Sequence, residues 1–253
     1  MKEIKGMSVI ITGGGSGIGK GTAKYLADKG AMVTICGRRE DKTRAAAEEI
    51  GESCCGVVAD ITDAGDREAL LKAAVAHGGG LDALINNAGN MYRGAINELD
   101  EQELINIFHT NVIAAMMLTG LCVDELEKRQ GAIVFIGSVH TRRAFPGASP
   151  YAATKAAVET LTKVLAAELG SKKIRVGCVV PGGVFTEINQ RAGLANDEDA
   201  YERLQGMAGL HALGRIGTAE EQAEAIEYLI RAEWTTGAVI DVDGGLGLGL
   251  TDV

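Results

Sequence analysis

A chain of 253 residues with 34 acidic and 25 basic side chains carries a formal net charge of −9. That balance, with no basic stripe, speaks against nucleic-acid binding, and no uninterrupted apolar run reads as a membrane span or a leader. Five cysteines, at 36, 54, 55, 122 and 178, show no C-x-x-C and no ligand spacing with histidine. The expectation is buried reduced thiols, no metal and a cytoplasmic setting.

No repeat or Pro/Ser-rich linker divides the chain, so residues 1–253 are read as one domain. Val9-Ile-Ile11 reads as a buried strand. Thr12-Gly-Gly-Gly-Ser-Gly-Ile-Gly19 follows, then a helical pattern (Thr22, Ala23, Tyr25, Leu26, Ala27) that Gly30 ends. Glycines at such a junction remove side chains, so backbone N–H groups and the helix N-terminus can approach a pyrophosphate. The spacing is not G-x-G-x-x-G, because Ile18 falls where the third glycine belongs. It is G-x-x-x-G-x-G, on Gly13, Gly17 and Gly19.

Met32–Cys36 is a second strand, ending at Gly37-Arg38-Arg39. A carboxylate there would suit the ribose hydroxyls of NAD, and an arginine the 2′-phosphate of NADP. Arg38, with Arg39 assisting, favours NADP(H); both are otherwise solvated loop charges. Residues 41–50 read as a helix and Val57–Asp60 as a third strand. Asp60 could accept from an adenine amino group or cap the next helix, over 64–76. Leu81–Ile85 is a fourth strand, ending in Asn86-Asn-Ala-Gly89.

Glu101–Glu127 reads as mostly helical, with Asn111 inside it, its amide bonding backbone or an ordered water. Ala132–Ile136 is a fifth strand, followed by Ser138. A helix over 151–169 starts after Pro150 and places Tyr151 and Lys155 one turn apart on one face. Free tyrosine titrates near pH ~10, and an ammonium one turn away would lower that value. The pair could then be an acid/base centre; alone, Tyr-x-x-x-Lys reads more readily as a solvated face. Ile174–Val180 is a sixth strand, closed by Pro181-Gly182-Gly183. Residues 186–212 are a polar segment with a helix near 197–205. A helix over 218–231 and a strand over 238–242 complete the pattern. Strands alternating with helices predict an α/β fold: one doubly wound Rossmann-type domain, a seven-stranded parallel sheet with helices on both faces. Ligands of such sheets lie beyond the strands' C-terminal ends.

Together these residues resemble the short-chain dehydrogenase/reductase family, in particular 3-oxoacyl-carrier-protein reductase-like members. The matches are Thr12-Gly13-x-x-x-Gly17-x-Gly19, Asn86-Asn87-Ala88-Gly89, Asn111, Ser138, Tyr151-x-x-x-Lys155 and Pro181-Gly182, in the family's order over nearly the whole chain. The resemblance implies an NAD(P)-dependent oxidoreductase interconverting an alcohol and a carbonyl. Tyr151 would exchange the proton, Ser138 would orient the substrate oxygen, Lys155 would lower the tyrosine pKa and bind the nicotinamide ribose, and Asn111 would hold a water of a proton relay. Gly13, Ser16, Gly17, Ile18 and Gly19 would cradle the cofactor, Asp60 and Ile61 would face adenine, and Asn87, Ala88 and Gly89 the ribose side. Pro181, Gly182 and Thr186 would lie at the nicotinamide. Many NADP-preferring members carry a basic residue where this chain has Ser16, so NAD(H) use stays open.

The substrate pocket is expected from Met91, the loop His140-Thr-Arg-Arg-Ala-Phe145, Gly183 and segment 186–212, with His140 near Ser138. Arg142 or Arg143 could pair with a substrate carboxylate, or face solvent or a neighbouring subunit. The tail 241–250 suits packing against another chain, and a homotetramer is expected. Competing readings are an epimerase or dehydratase on the same fold and a non-catalytic dinucleotide sensor.

Overall fold

The computed structural model describes residues 1–186, 202 and 204–249. Seven strands among them form one sheet in the order β3-β2-β1-β4-β5-β6-β7, every neighbour parallel. The strands are β1 (Ser8–Thr12), β2 (Met32–Gly37), β3 (Cys54–Val58), β4 (Ala83–Asn86), β5 (Ala132–Ile136), β6 (Arg175–Pro181) and β7 (Ala238–Val242). They are joined by α1 (Gly17–Asp28), α2 (Glu40–Ile50), α3 (Ala64–Gly78), α4 (Glu101–Phe108), α5 (Ala114–Arg129), α6 (Ser149–Leu169) and α7 (Ala219–Arg231).

The strands are apolar on both faces because both faces are covered. On one side Ala23 and Leu26 of α1, Ala46 of α2 and Ile226 and Leu229 of α7 pack on Val9, Ile11, Val33 and Val134. On the other, Leu70 of α3, Leu118 and Cys122 of α5 and Val158 of α6 pack on Ile10, Leu84, Ile133 and Phe135. The order reverses at β1, which pairs β2 on one edge and β4 on the other. Loops leaving β1 and β4 diverge there and open a crevice.

Several boundaries differ from the sequence reading. β3 begins at Cys54 and ends at Val58, so Asp60 lies beyond the strand. Pairing with Val33–Gly37 of β2 sets that span, which Cys54-Cys55-Gly56 does not advertise locally. Asp63, not Asp60, caps α3, its side chain accepting from Asp66 N. Pro150 lies inside the first turn of α6 rather than before it. The region around Asn111 is a π-helical turn, His109–Ile113, between α4 and α5. The helix expected near 197–205 falls mostly outside the described residues, as does the end of the 241–250 tail.

Two compositional expectations also change. The continuous helical run Glu101–Arg129 is long and apolar enough, by length and composition, to cross a membrane, with 33% of its most apolar window buried. Its buried side (Ala114, Ala115, Leu118, Cys122, Leu126) belongs to the core. Of the five free cysteines, Cys36, Cys122 and Cys178 are buried, whereas Cys54 and Cys55 are half-buried.

Candidate active site

The crevice holds a cavity of about 390 Å³ that runs from the end of β2, past the glycine loop, to the start of α6. Along its floor the loops after β1 and β4 are clamped together. Thr12 Oγ1 accepts from Asn87 N at 3.0 Å and Ala88 N at 2.9 Å, while Asn87 Nδ2 donates to Thr12 O at 2.8 Å. The Asn87 side chain is therefore spent on the turn, although the residue still lines the crevice with Ala88 and Gly89.

The glycine loop is thin because nothing larger fits. A Cβ on Gly19 would lie 2.4 Å from Gly13 O and 2.5 Å from Asn87 Nδ2. Gly17 has φ +54, and a Cβ there would press on Thr186 at 3.1 Å. Ser16 occupies the N-cap of α1 without capping it by its side chain, and the first turn holds no acid. The opening N–H groups and the helix dipole are thus left facing the cleft, an arrangement suited to a pyrophosphate.

At the end of the cleft beside β2, where the cofactor's adenosine is expected, stand Arg38, Arg39, Lys42, Asp60 and Ile61. Arg39 Nη2 donates to Ser16 Oγ at 3.3 Å. Arg38 lies 3.8 Å from the Asp60 carboxylate, both side chains well exposed. Burial pushes the Asp60 carboxyl up, but hydrogen bonds from Thr62 and the charge of Arg38 prevail and hold it low. Asp60 therefore partners Thr62 and Arg38. Lys42, in the first turn of α2, was missed by the sequence reading; a lysine in a charged helix carries no local signal of which way it faces.

At the other end the side chains are deeply buried. Asn111, Ser138, Tyr151 and Lys155 are each between 4% and 7% exposed. Tyr151 and Lys155 share the inner face of α6, with Lys155 Nζ 5.5 Å from the tyrosine ring centre. Lys155 Nζ donates to Ile136 O at 2.7 Å. Burial lowers its pKa to about 8. Burial also raises Tyr151 to about 12, against a hydrogen bond with Ser138 that lowers it. The expectation that the lysine brings the tyrosine down is thus corrected in sign: removing a phenolate from water outweighs what its neighbours return.

Asn111 does not present its amide to the cleft. Its Nδ2 donates to Asn90 O at 2.9 Å and Thr154 Oγ1 at 3.0 Å, and its Oδ1 accepts from Asn90 N at 2.8 Å. It fixes the loop after β4 onto α6. The π-helical turn is what carries it there.

Ser138 starts a short 3₁₀ turn after β5, and His140 Nδ1 lies 3.0 Å from its Oγ. The His140 ring stacks on Phe145 at 4.4 Å and meets Tyr151 edge-on at 5.1 Å. Burial, with the charges of Arg93 and Lys155, lowers its pKa to about 4, so it is neutral at working pH. Met91, Phe145, Pro181, Gly182, Gly183 and Thr186 line the cavity as expected; Leu204 and Met207 join them from the expected substrate segment. Residues 187–201 and 203 of that segment lie outside the described residues.

Arg142 does not line the cleft. It pairs with Glu159 at 2.7 Å and Asp241 at 3.0 Å, and Arg143 donates to Leu246 O at 3.4 Å. Both bind the 138–147 loop to α6, β7 and the tail, and neither lines the cavity, so neither is placed to meet a carboxylate there. A further arginine that does line the cavity is Arg93, which sequence reasoning missed.

The sequence profile described as short chain dehydrogenase matches residues 7–197. The chain belongs to that family. It is 35% identical over 246 residues to the 3-oxoacyl-(acyl-carrier-protein) reductase of Chlamydia muridarum, covering 94% of this chain and 96% of that one. It is 34% identical over 253 residues to dehydrogenase/reductase SDR family member 4 of Sus scrofa, covering 96% and 88%. A solved 3-ketoacyl-(acyl-carrier-protein) reductase of Brucella melitensis, complexed with NADH, superposes with a TM-score of 0.88 at 30% identity, covering 96% of this chain and 99% of that one. This short-chain dehydrogenase/reductase is an NAD(P)-dependent oxidoreductase.

Proposed function

We propose that the enzyme interconverts a small-molecule alcohol and carbonyl using NADP(H), with Tyr151 as acid/base, Ser138 orienting the substrate oxygen and Lys155 supporting the tyrosine. The observation that carries this reading is the convergence of Ser138, Tyr151 and Lys155 in one buried pocket continuous with the glycine loop. The bound nicotinamide would supply or accept the hydride. In reduction, Tyr151 gives its proton to the carbonyl oxygen as that oxygen gains negative charge. A tyrosine at about 12 is fully protonated at neutral pH, as a donor must be. Lys155, at about 8, can release a proton near working pH and resupply it. In oxidation the same path runs backwards. Ser138 holds the oxygen within reach of the tyrosine, and the neutral His140 steadies Ser138.

The test is Tyr151→Phe. We expect kcat/KM to fall about 10²- to 10⁴-fold while cofactor titration is unchanged. Unaltered turnover would overturn the assignment, and a wild type that binds cofactor but reduces no carbonyl would favour a sensor.

The cofactor preference rests on Arg38, Arg39 and Lys42 flanking the adenosine end. Arg38→Ala is expected to weaken NADPH by about 10- to 100-fold, the range of a charge-assisted contact, and to leave NADH nearly unaffected. Equal NADH and NADPH affinities, indifferent to Arg38, would reverse the preference.

We also infer a cytoplasmic homotetramer. Five free cysteines support a reducing compartment. Ile113, Met117 and Leu121, four residues apart along the helical run, and the adjacent Met116 form an exposed apolar stripe suited to a second copy. Light scattering at the monomer mass would refute it.

A further inference from the structure

The chain is acidic, yet the described lining of its cleft holds five cations, Arg38, Arg39, Lys42, Arg93 and Lys155, and a single carboxylate, Asp60. Walls of one sign concentrate a field and raise the local concentration of anions. Three of those cations stand at the adenosine end, and Lys155 belongs to the tyrosine. Arg93 has no part in either arrangement.

Arg93 lies on the loop after β4, tied to the loop after β5. Its Nη2 donates to Pro146 O at 3.1 Å, and Gly94 N donates to Gly147 O at 2.9 Å. The residue before Pro146, Phe145, packs its ring on His140, which touches both Ser138 and Tyr151. Arg93, Phe145, His140 and Ser138 all line the cleft, and Phe145, His140 and Ser138 are linked by direct contacts. Arg93 is half-buried and, among the described residues, makes one hydrogen bond, to a neutral carbonyl. Among the described residues it has no carboxylate partner, in contrast to Arg142, which has two. An arginine that lines a cleft and is held by one backbone acceptor keeps most of its planar fork for a ligand.

We propose that Arg93 recognises a carboxylate on the substrate, so that the enzyme's substrates are oxo acids and the corresponding hydroxy acids. The inference rests on the oxidoreductase reading above. It moves carboxylate recognition from Arg142 and Arg143 to a residue on a different loop.

The test compares acetoacetate and levulinate with their methyl esters, in wild type, Arg93→Gln and Arg93→Lys. Glutamine keeps an N–H donor but carries no charge. The expected result is that the acid-to-ester ratio of kcat/KM falls about 10- to 100-fold in Arg93→Gln and is partly restored in Arg93→Lys. An unchanged ratio would overturn the proposal, as would a parallel loss on acid and ester, which marks a role in loop packing alone. Should wild type turn over neither with NADPH nor with NADH, the reaction assigned to this class fails, and calorimetric binding of the same four compounds to the cofactor-loaded protein decides the subsite separately. Arg93-dependent preference for the acids supports it; equal binding of acids and esters sinks it.

Discussion

The two ends of the cleft are built on opposite principles. At the α6 end, Ser138, Tyr151, Lys155 and Asn111 are buried, and their hydrogen bonds run to backbone and to neighbouring side chains such as Thr154 and His140. Burial there moves pKa values far: Tyr151 up to about 12, Lys155 down to about 8, His140 down to about 4. At the adenosine end, Arg38 and Asp60 form a long, exposed pair and the charge stays in water's reach. Proton transfer needs groups whose ionisation has been tuned, and only desolvation tunes them strongly. Holding a nucleotide's anionic edge needs charges that remain charged. One cleft accommodates both because the sheet carries its loops from core to surface along a single edge.

The largest effect should come from the buried end. Lys155→Met is expected to lower kcat/KM about 10²- to 10⁴-fold, because the proton path through Tyr151 loses its supply. A second readout separates tuning from packing. Lys155 binds its proton less tightly folded, at about 8, than its ordinary 10.5. Between those values the unfolded chain holds more protons on this group, so its contribution to stability rises with pH. Cys36, Cys54, Cys122 and Cys178, raised from 9.0 to about 12, and Tyr151, raised from 10.0, titrate in the opposite sense over the same range. The Lys155 gain from about pH 8 to 10 is therefore read as the stability of wild type minus that of the variant. That difference should rise across the range. An inactive variant for which it stays flat would mean that another group titrates there.

His140 sharpens the same point on the acid side. Its folded value is about 4 against an ordinary 6.5. The stability it permits is complete above pH 6.5 and is lost as pH falls towards 4, by up to about 3 kcal/mol if the full shift is realised. His140→Gln should flatten that part of the stability profile in urea titrations. An unaltered acid slope would place the titrating group elsewhere.

How far the sequence revealed this division depends on range. β1, the glycine loop, Tyr151 and Lys155 were legible because each rests on local spacing: a short apolar run, glycines at a strand–helix junction, a four-residue helical step. β3 was misplaced because its span is dictated by register with β2, not by Cys54-Cys55-Gly56 themselves. The sign of the Tyr151 shift was missed because spacing shows the neighbouring cation but not the depth of burial. Arg142 was expected at the cleft and Arg93 was overlooked for a similar reason. Which of two loop arginines meets Asp241 and which meets the cleft is decided by residues about a hundred positions away in one case and about fifty in the other.

Between the two ends lies the glycine loop, where the test is steric. Gly19→Ala places a methyl 2.4 Å from Gly13 O and 2.5 Å from Asn87 Nδ2. Neither neighbour can retreat without breaking the clamp between β1 and β4. Overpacking of this kind costs about 1–3 kcal/mol, and the shifted loop should weaken NADPH and NADH alike. Selective loss of one cofactor would mean that the loop, and not the Arg38 end, discriminates between them.

The smallest effect should come from cutting the exposed pair. Asp60→Asn keeps an oxygen for Thr62 N and Oγ1 and removes the charge that faces Arg38. The side chains of Arg38 and Asp60 are 55% and 36% exposed and 3.8 Å apart. Pairs of that kind contribute about 0–1 kcal/mol, so stability in urea should change within that margin. The consequence for binding is the informative part. Relieved of its carboxylate, Arg38 has more of its charge for a 2′-phosphate, and NADPH affinity should rise by less than about tenfold at low salt, fading as salt screens the rim. NADH, lacking the phosphate, should not follow. A stability loss well above 1 kcal/mol would show that the rim is bound as tightly as the core, and the contrast between the two ends would then rest on burial at the α6 end alone.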